Sequence, residues 1–266
     1  MGVSEMRPFH SAKSCHIAAL SFVFLILAGC ATGNEKKELT DEQRARLFVQ
    51  IAASALQENN VGGSFQALEA AEKLDPKLAS IHHVRALAYF ARQDVPMALK
   101  EAAKALEMDP RSPDMNNTYG KLLMDSGKPA EAIEPLKKAA NETTYNEAYK
   151  PLTNLGILFY RDANWEEASF YFEKAIKSAP LVSCIAYYYR GHLKLRNRDF
   201  KGAVKDYDSA TQRFCAGFSD AHLAMGIALQ KNHQYDLARK KFLDVQSRFP
   251  NSKIADQAME HLREIP

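Results

Sequence analysis

Apolar residues recur at intervals of three and four through most of this chain, and the stripes they form come in pairs. The stretch from Pro113 to Pro180 carries the pattern most clearly, because it holds one arrangement twice. In the first copy Tyr119, Gly120 and Leu123 fall on one helical face, a polar turn with Gly127 follows, and Ala132, Leu136 and Ala139 form a second stripe. In the second copy Leu155, Gly156 and Phe159 are followed by Ala168, Phe172, Ala175 and a closing Pro180. Residues three and four apart share a face of an α-helix, so each copy predicts two amphipathic helices joined by a turn. Small residues at fixed places let the two helices approach closely, and the large ones fill the space beside them.

Carried along the chain, the pattern places six units beginning near Ala45, Ala79, Pro113, Tyr149, Cys184 and Ser219, at steps of 34, 34, 36, 35 and 35 residues. The first unit is the most degenerate. Ile51, Ala52 and Ala55 stand on its first helix, Ser64, Leu68 and Ala71 on its second, and Gly62-Gly63 in its turn. Asp75-Pro76 and Asp109-Pro110 each stop a helix, since a residue before proline is driven out of the α region. After the sixth unit Ile254, Ala258, Met259 and Leu262 form one more amphipathic helix, which would cap the apolar end of a stack. A helical pair repeated at a period of about 34 residues resembles the tetratricopeptide repeat (TPR). The resemblance implies an all-α fold, a TPR solenoid. Six helix-turn-helix repeats over 45–250 would wind into a right-handed superhelix, with a capping helix at 251–266. First helices would line a groove and second helices would face outward.

Residues 1–29 follow a different pattern. Arg7 and Lys13 precede an apolar run of 12 residues from Ile17 to Ala28, which is short for a membrane span and suits the core of a signal peptide. The run ends in Leu27-Ala28-Gly29-Cys30, which resembles the bacterial lipobox. That resemblance implies cleavage before Cys30 and lipid, palmitate included, on the new N-terminal cysteine. Each buried methylene contributes about 0.8 kcal/mol, so several acyl chains hold a protein on a bilayer. Ala31 stands where an aspartate would signal inner-membrane retention under the sorting rule of enteric bacteria, so the expected location is the periplasmic face of the outer membrane. Residues 30–44 read as lipidated cysteine and tether.

Charge and candidate chemistry narrow the function. The net charge of +3 is small, with the two signs interspersed, which argues against nucleic acid as the partner. His82 and His83 are adjacent, so their rings point to different faces and make a poor metal site. No phosphate loop, acid–base pair or nucleophile arrangement stands out, so neither an enzyme nor a cofactor is expected beyond the lipid on Cys30. Two further cysteines remain after Cys15 and Cys30 are set aside, an even pair in an oxidising compartment. Cys184 opens the first helix of the fifth unit and Cys215 follows its second. Those two ends lie side by side in a helical hairpin, so a Cys184–Cys215 disulfide is expected in place of two buried free thiols.

The groove is the candidate binding surface. The inward positions of a TPR first helix fall on His83, Leu87 and Phe90 in the second unit and on Asn117, Lys121 and Met124 in the third. In the fourth they fall on Thr153, Ile157, Tyr160 and Arg161, and in the fifth on Tyr188, His192, Leu195 and Arg196. This mixture of apolar, aromatic and basic groups suits an extended or helical peptide with apolar anchors among acidic or polar residues. About half of these side chains are expected to be exposed, the rest packing against neighbouring helices.

Three segments carry a narrower resemblance: Asn116-Asn117-Thr118-Tyr119-Gly120, Thr143-Thr144-Tyr145 with Asn154-Leu155-Gly156, and Arg248-Phe249-Pro250-Asn251-Ser252. With the lipobox and six repeats, the chain resembles the PilF/PilW/Tgl family of type IV pilus pilotins, although Asn146 stands where that family has proline. The family resemblance implies a lipoprotein that binds secretin subunits at the outer membrane and promotes their localisation and multimerisation. The alternative is a periplasmic TPR adaptor lipoprotein that scaffolds cell-wall hydrolases or the outer-membrane assembly machinery.

Overall fold

The computed structural model describes residues 38–266. The expected signal peptide (1–29) and the lipidation site Cys30 lie outside the described residues. Among the described residues there are thirteen α-helices and no strand. They form six hairpins in chain order: α1 (Asp41–Gln57) with α2 (Val61–Leu74), α3 (Ala79–Ala91) with α4 (Val95–Met108), and α5 (Pro113–Asp125) with α6 (Pro129–Asn141). Then come α7 (Tyr149–Arg161) with α8 (Trp165–Ser178), α9 (Cys184–Arg196) with α10 (Phe200–Ser209), and α11 (Ser219–Lys231) with α12 (Tyr235–Arg248). The last helix, α13 (Lys253–Glu264), packs on α12 and α11. Successive hairpins stack, and α1 touches α3, α5 touches α7, α7 touches α9 and α11 touches α13, so the odd-numbered helices form one layer and the even-numbered helices the other.

Local chemistry fixes the ends of the helices. Helix α1 starts inside the stretch read as tether because Thr40 caps it: the Thr40 N–H donates to Gln43 Oε1 at 2.9 Å, and the Gln43 N–H donates to Thr40 Oγ1 at 3.2 Å. This reciprocal pair satisfies two donors that the first helical turn leaves free. Asn60, Asp94 and Asp199 cap α2, α4 and α10 in the same position of their repeats. Each hairpin turns through one residue in the left-handed region: Asn59, Gln93, Gly127, Ala163, Arg198 and His233. Their spacing repeats the steps read from the sequence, so the turns keep the period of the apolar stripes.

The hairpins close through a recurring small–large pair. A Cβ placed on Gly120 would lie 2.6 Å from Leu136, and on Gly156 2.5 Å from Phe172. On Gly191 it would lie 2.7 Å from Tyr207, and on Gly226 2.5 Å from Phe242. The four large partners are buried. In the first repeat Ala52 and Leu68 occupy these positions, both fully buried. Ile51 departs from the sequence reading. It is 55% exposed, because Ala45, Val49 and Ala52 already supply the inward stripe of α1.

Candidate functional site

The layer of odd-numbered helices carries the sequence-predicted groove residues, held by contacts between successive repeats. His83 Nε2 lies 2.8 Å from Thr118 Oγ1, linking α3 to α5. Asn154 Nδ2 donates to Asn117 Oδ1 at 2.9 Å, linking α5 to α7. Around that pair a cavity of about 240 Å³ opens, lined by Asn117, Lys121, Thr153 and Asn154 with Val182 and Ile185 from the start of the fifth repeat. Lys121 is exposed. Its ammonium reaches Asp125 at 2.6 Å and lies 4.8 Å from the centre of the Phe90 ring. Leu87 is exposed nearby on α3.

Aromatic side chains take over toward the C-terminal half. Tyr160 meets Tyr189 at 5.0 Å and Tyr188 meets His192 at 4.3 Å between ring centres. The Tyr207 hydroxyl lies 2.9 Å from His192 Nδ1, a bond in which it donates when the imidazole is neutral. Burial lowers the pKa of His192 and of His83, the latter partly offset by Asp114. Burial, aided by Asp220, pushes the Tyr188 hydroxyl up to about 12, so it stays protonated as a donor. Arg196 is exposed, its guanidinium 4.3 Å from the centre of the Trp165 ring.

Several groove assignments need correction. Met124 is buried with Leu123, Leu136 and Leu158 in the core, and it lines a cavity at the turn edge with Arg161. Both sit in the last turn of their helices, where side chains lie over the hairpin turn rather than the layer face. Arg196 occupies the same place one repeat on. Thr153 is 7% exposed and spends its hydroxyl on the Tyr149 carbonyl at 2.7 Å, leaving little to a ligand. Ile157 is half-buried against the cores of two repeats.

Sequence reading missed other parts. Thr118, Asn154 and Tyr189 each adjoin a predicted position, and the contacts they make with the neighbouring repeat have no signature in the one-dimensional pattern. On α1, exposed Leu47 and Ile51 line a hollow of about 540 Å³ with Gln50 and Ser54. The buried Asp206 carboxylate receives Arg190 at 2.7 and 2.8 Å and Lys194 at 2.8 Å, tying α10 to α9. Cys184 and Cys215 are joined by a disulfide with their Cα atoms 5.5 Å apart, between the start of α9 and the short 3-10 turn Arg213–Cys215. Leu181, Ile185 and Phe214 flank it, all exposed. Among the described residues no group of three or more His, Cys, Asp or Glu side chains could hold a metal ion, and no helix is long and apolar enough to cross a membrane.

Paired helices, a recurring left-handed turn and stacked hairpins define a tetratricopeptide-repeat fold, and the tetratricopeptide repeat family model matches residues 83–147. Over 244 residues the chain is 28% identical to the type IV pilus assembly protein PilF of Pseudomonas aeruginosa, covering 88% of this chain and 94% of PilF. The solved structure of that PilF superposes with a TM-score of 0.71 at 22% identity, over 83% of this chain and 99% of the other. The structure of PilW, described as a widely conserved type IV pilus biogenesis factor, gives a TM-score of 0.71 at 22% identity, over 82% of this chain and 99% of PilW. At these identities the structural likenesses speak for the fold. The chain has a tetratricopeptide-repeat fold and is similar to PilF over most of its length.

Proposed function

We propose that this protein serves type IV pilus biogenesis as a pilotin: anchored by lipid on Cys30 to the periplasmic face of the outer membrane, it binds secretin subunits and promotes their assembly. The observation that carries the reading is the 28% identity to the pilus assembly protein PilF, sustained over 244 residues and 88% of this chain. The repeats supply surfaces rather than a reaction centre, so the work is done by binding. A secretin segment with apolar anchors would lie along the layer of odd-numbered helices, against Leu87 and Phe90, the Asn117–Asn154 pair and the Tyr160–Tyr188–Tyr189 cluster. The two amides can each present a free donor or acceptor to a peptide backbone, and the rings supply apolar area at low entropic cost. Several copies around one secretin ring would add avidity.

Deletion of the gene tests this. In a piliated strain lacking it, the outer-membrane secretin should run as monomer on semi-native gels, with heat-stable multimers lost and surface pili absent. Wild-type protein should restore both, and a Cys30→Ala variant should restore neither. Normal multimers and normal pili in the deletion strain would reject the reading. Recovery of cell-wall hydrolases or barrel-assembly proteins in place of secretin would point to an adaptor.

A further inference from the structure

At the turn edge, between the third and fourth repeats, a cavity of about 490 Å³ opens against Met124, Ile133, Leu158 and Phe159, with Pro129 and Arg161 beside it. Such a volume lies within the range of about 300–1,000 Å³ usual for ligand pockets. Its walls are firm. Met124 and Leu158 are buried, and Phe159 stacks on Tyr171 with 5.5 Å between ring centres.

The next repeat explains why the cavity is open. The left-handed turn residues Gly127, Ala163 and Arg198 set the register. In that register Pro129 occupies the place of Trp165, Met124 that of Tyr160, and Arg161 that of Arg196. Between the fourth and fifth repeats the place is filled: Trp165 meets Tyr160 at 5.3 Å, and the Arg196 guanidinium lies 4.3 Å from the centre of the Trp165 ring. Between the third and fourth repeats the cation is present and the ring is not. Arg161 is exposed and has no ion-pair partner among the described residues. The mouth is also unobstructed. A Cβ on Gly127 would meet nothing within 4 Å, whereas the other five hairpins carry Asn59, Gln93, Ala163, Arg198 or His233 at that turn position.

We infer that this cavity receives an aromatic side chain presented by a protein partner, seated on Leu158 and Phe159 and covered by the guanidinium of Arg161. The partner's ring takes the part that Trp165 plays one repeat on. A cation over an aromatic face is attracted by the ring even at an exposed site, and the apolar walls receive the rest of the ring. The inference rests on the reading of the repeats as a protein-binding scaffold.

The test is a methyl-resolved NMR titration of the full-length chain with N-acetyl-L-tryptophanamide, using N-acetyl-L-leucinamide as the aliphatic control. The tryptophan probe should shift the methyl signals of Met124, Ile133 and Leu158 saturably, and the leucine probe should bind markedly more weakly. Arg161→Ala should weaken the tryptophan probe on the order of three- to fivefold. Pro129→Trp, which restores the ring found in the fourth repeat, should abolish binding and keep or raise the melting temperature. Should that variant fail to fold, Gly127→Gln, which copies the second repeat's turn, should block the mouth instead. Absence of saturable shifts, equal binding of the two probes, an Arg161→Ala variant that binds as wild type, or binding that survives the blocking variant would each overturn the proposal. A concentration-dependent dimer lost on blocking the cavity would overturn it as well, by giving the site to a second copy. Secretin plays no part in the titration, so failure here leaves the pilus reading intact, and a deletion strain with normal secretin multimers leaves this result intact.

Discussion

The close approach of paired helices makes a sharp prediction at Gly156. A Cβ there would lie 2.5 Å from two ring carbons of Phe172, which is fully buried. Carbon atoms in contact normally sit about 3.5–4.0 Å apart, so the overlap is about 1 Å. Overpacking of this kind costs about 1–3 kcal/mol, and the ring is stacked on Tyr189 with 5.6 Å between centres and has little freedom to shift, which favours the upper half of that range. Alanine returns at most about 1 kcal/mol through its higher helix propensity. The expected net effect of Gly156→Ala is a loss of about 1–2 kcal/mol. Gly62 in α2 provides the control, since its Cβ would meet only Asn60 Oδ1 at 4.0 Å, so Gly62→Ala should be neutral or stabilising by up to about 1 kcal/mol. Urea unfolding followed by far-ultraviolet circular dichroism measures both, with parallel transitions required because repeats can unfold separately. Shortening the ring as well, in Gly156→Ala with Phe172→Leu, should cost less than the sum of the single changes. A Gly156→Ala protein as stable as Gly62→Ala would refute the view that helix approach sets this position.

Three further outcomes follow from the fifth and sixth repeats and from the half-buried and buried histidines. Replacing Cys184 and Cys215 by serine opens a loop with a sequence separation of 31 and should cost about 3–4 kcal/mol on the loop-entropy model, read as a lowered urea midpoint that wild type reproduces only after reduction. Asp206→Ala leaves Arg190 and Lys194 without their shared carboxylate. Both cations are partly exposed and can turn to water, so the loss should be about 2 kcal/mol rather than the larger figure for a fully buried pair, and wild-type stability would contradict it. His83, His192 and His222 all have lowered pKa values in the fold, chiefly through burial. The unfolded chain therefore takes up these protons first, near pH 6.5, and stability present above that pH is lost as the pH falls toward the lowered folded values. Urea midpoints measured from pH 7.5 to 5.5 should decline, and His192→Gln should flatten part of that decline.

The fold was legible because one physical requirement, a small residue facing a large one, recurs in five of the six hairpins. Gly120, Gly156, Gly191 and Gly226 each precede a large buried residue on the facing helix, and the spacing of such pairs can be read without coordinates. The Cys184–Cys215 bridge was legible for the same reason, since hairpin topology brings the two ends of a repeat together. The surface was less legible. Position within a helix places Asn117 and Tyr188 on the layer face, but it cannot tell that Thr153 satisfies itself on the Tyr149 carbonyl or that Met124 closes a core. The first is a rotamer choice within one helix and the second depends on Leu158 of the next repeat, and neither is written in the spacing of apolar residues. Ile51 stays exposed because Ala45, Val49 and Ala52 already supply the inward stripe of α1, a choice the spacing alone does not make. Asp206 was overlooked because a buried carboxylate between two cations resembles an ordinary charged surface in sequence.

Departures from the repeat therefore locate function better than the repeat itself. Features shared by the hairpins, such as the left-handed turn conformation in all six and the small–large pair in five, answer to packing, and substitutions that break them should act on stability. Positions filled differently leave a record of what the fold did not need. Trp165 under Arg196 is the packed arrangement, whereas Pro129 beside Arg161 leaves the same geometry without its ring and leaves an apolar cavity exposed. Apolar surface left in water is a cost, and nothing in the solenoid requires it there, since the fourth repeat shows how the gap is closed. The same reasoning applies to Leu47 and Ile51 on α1 and to Leu181, Ile185 and Phe214 beside the disulfide. These are sites where a repeat protein keeps apolar area free, and a partner that covers it would gain the burial energy the fold has forgone.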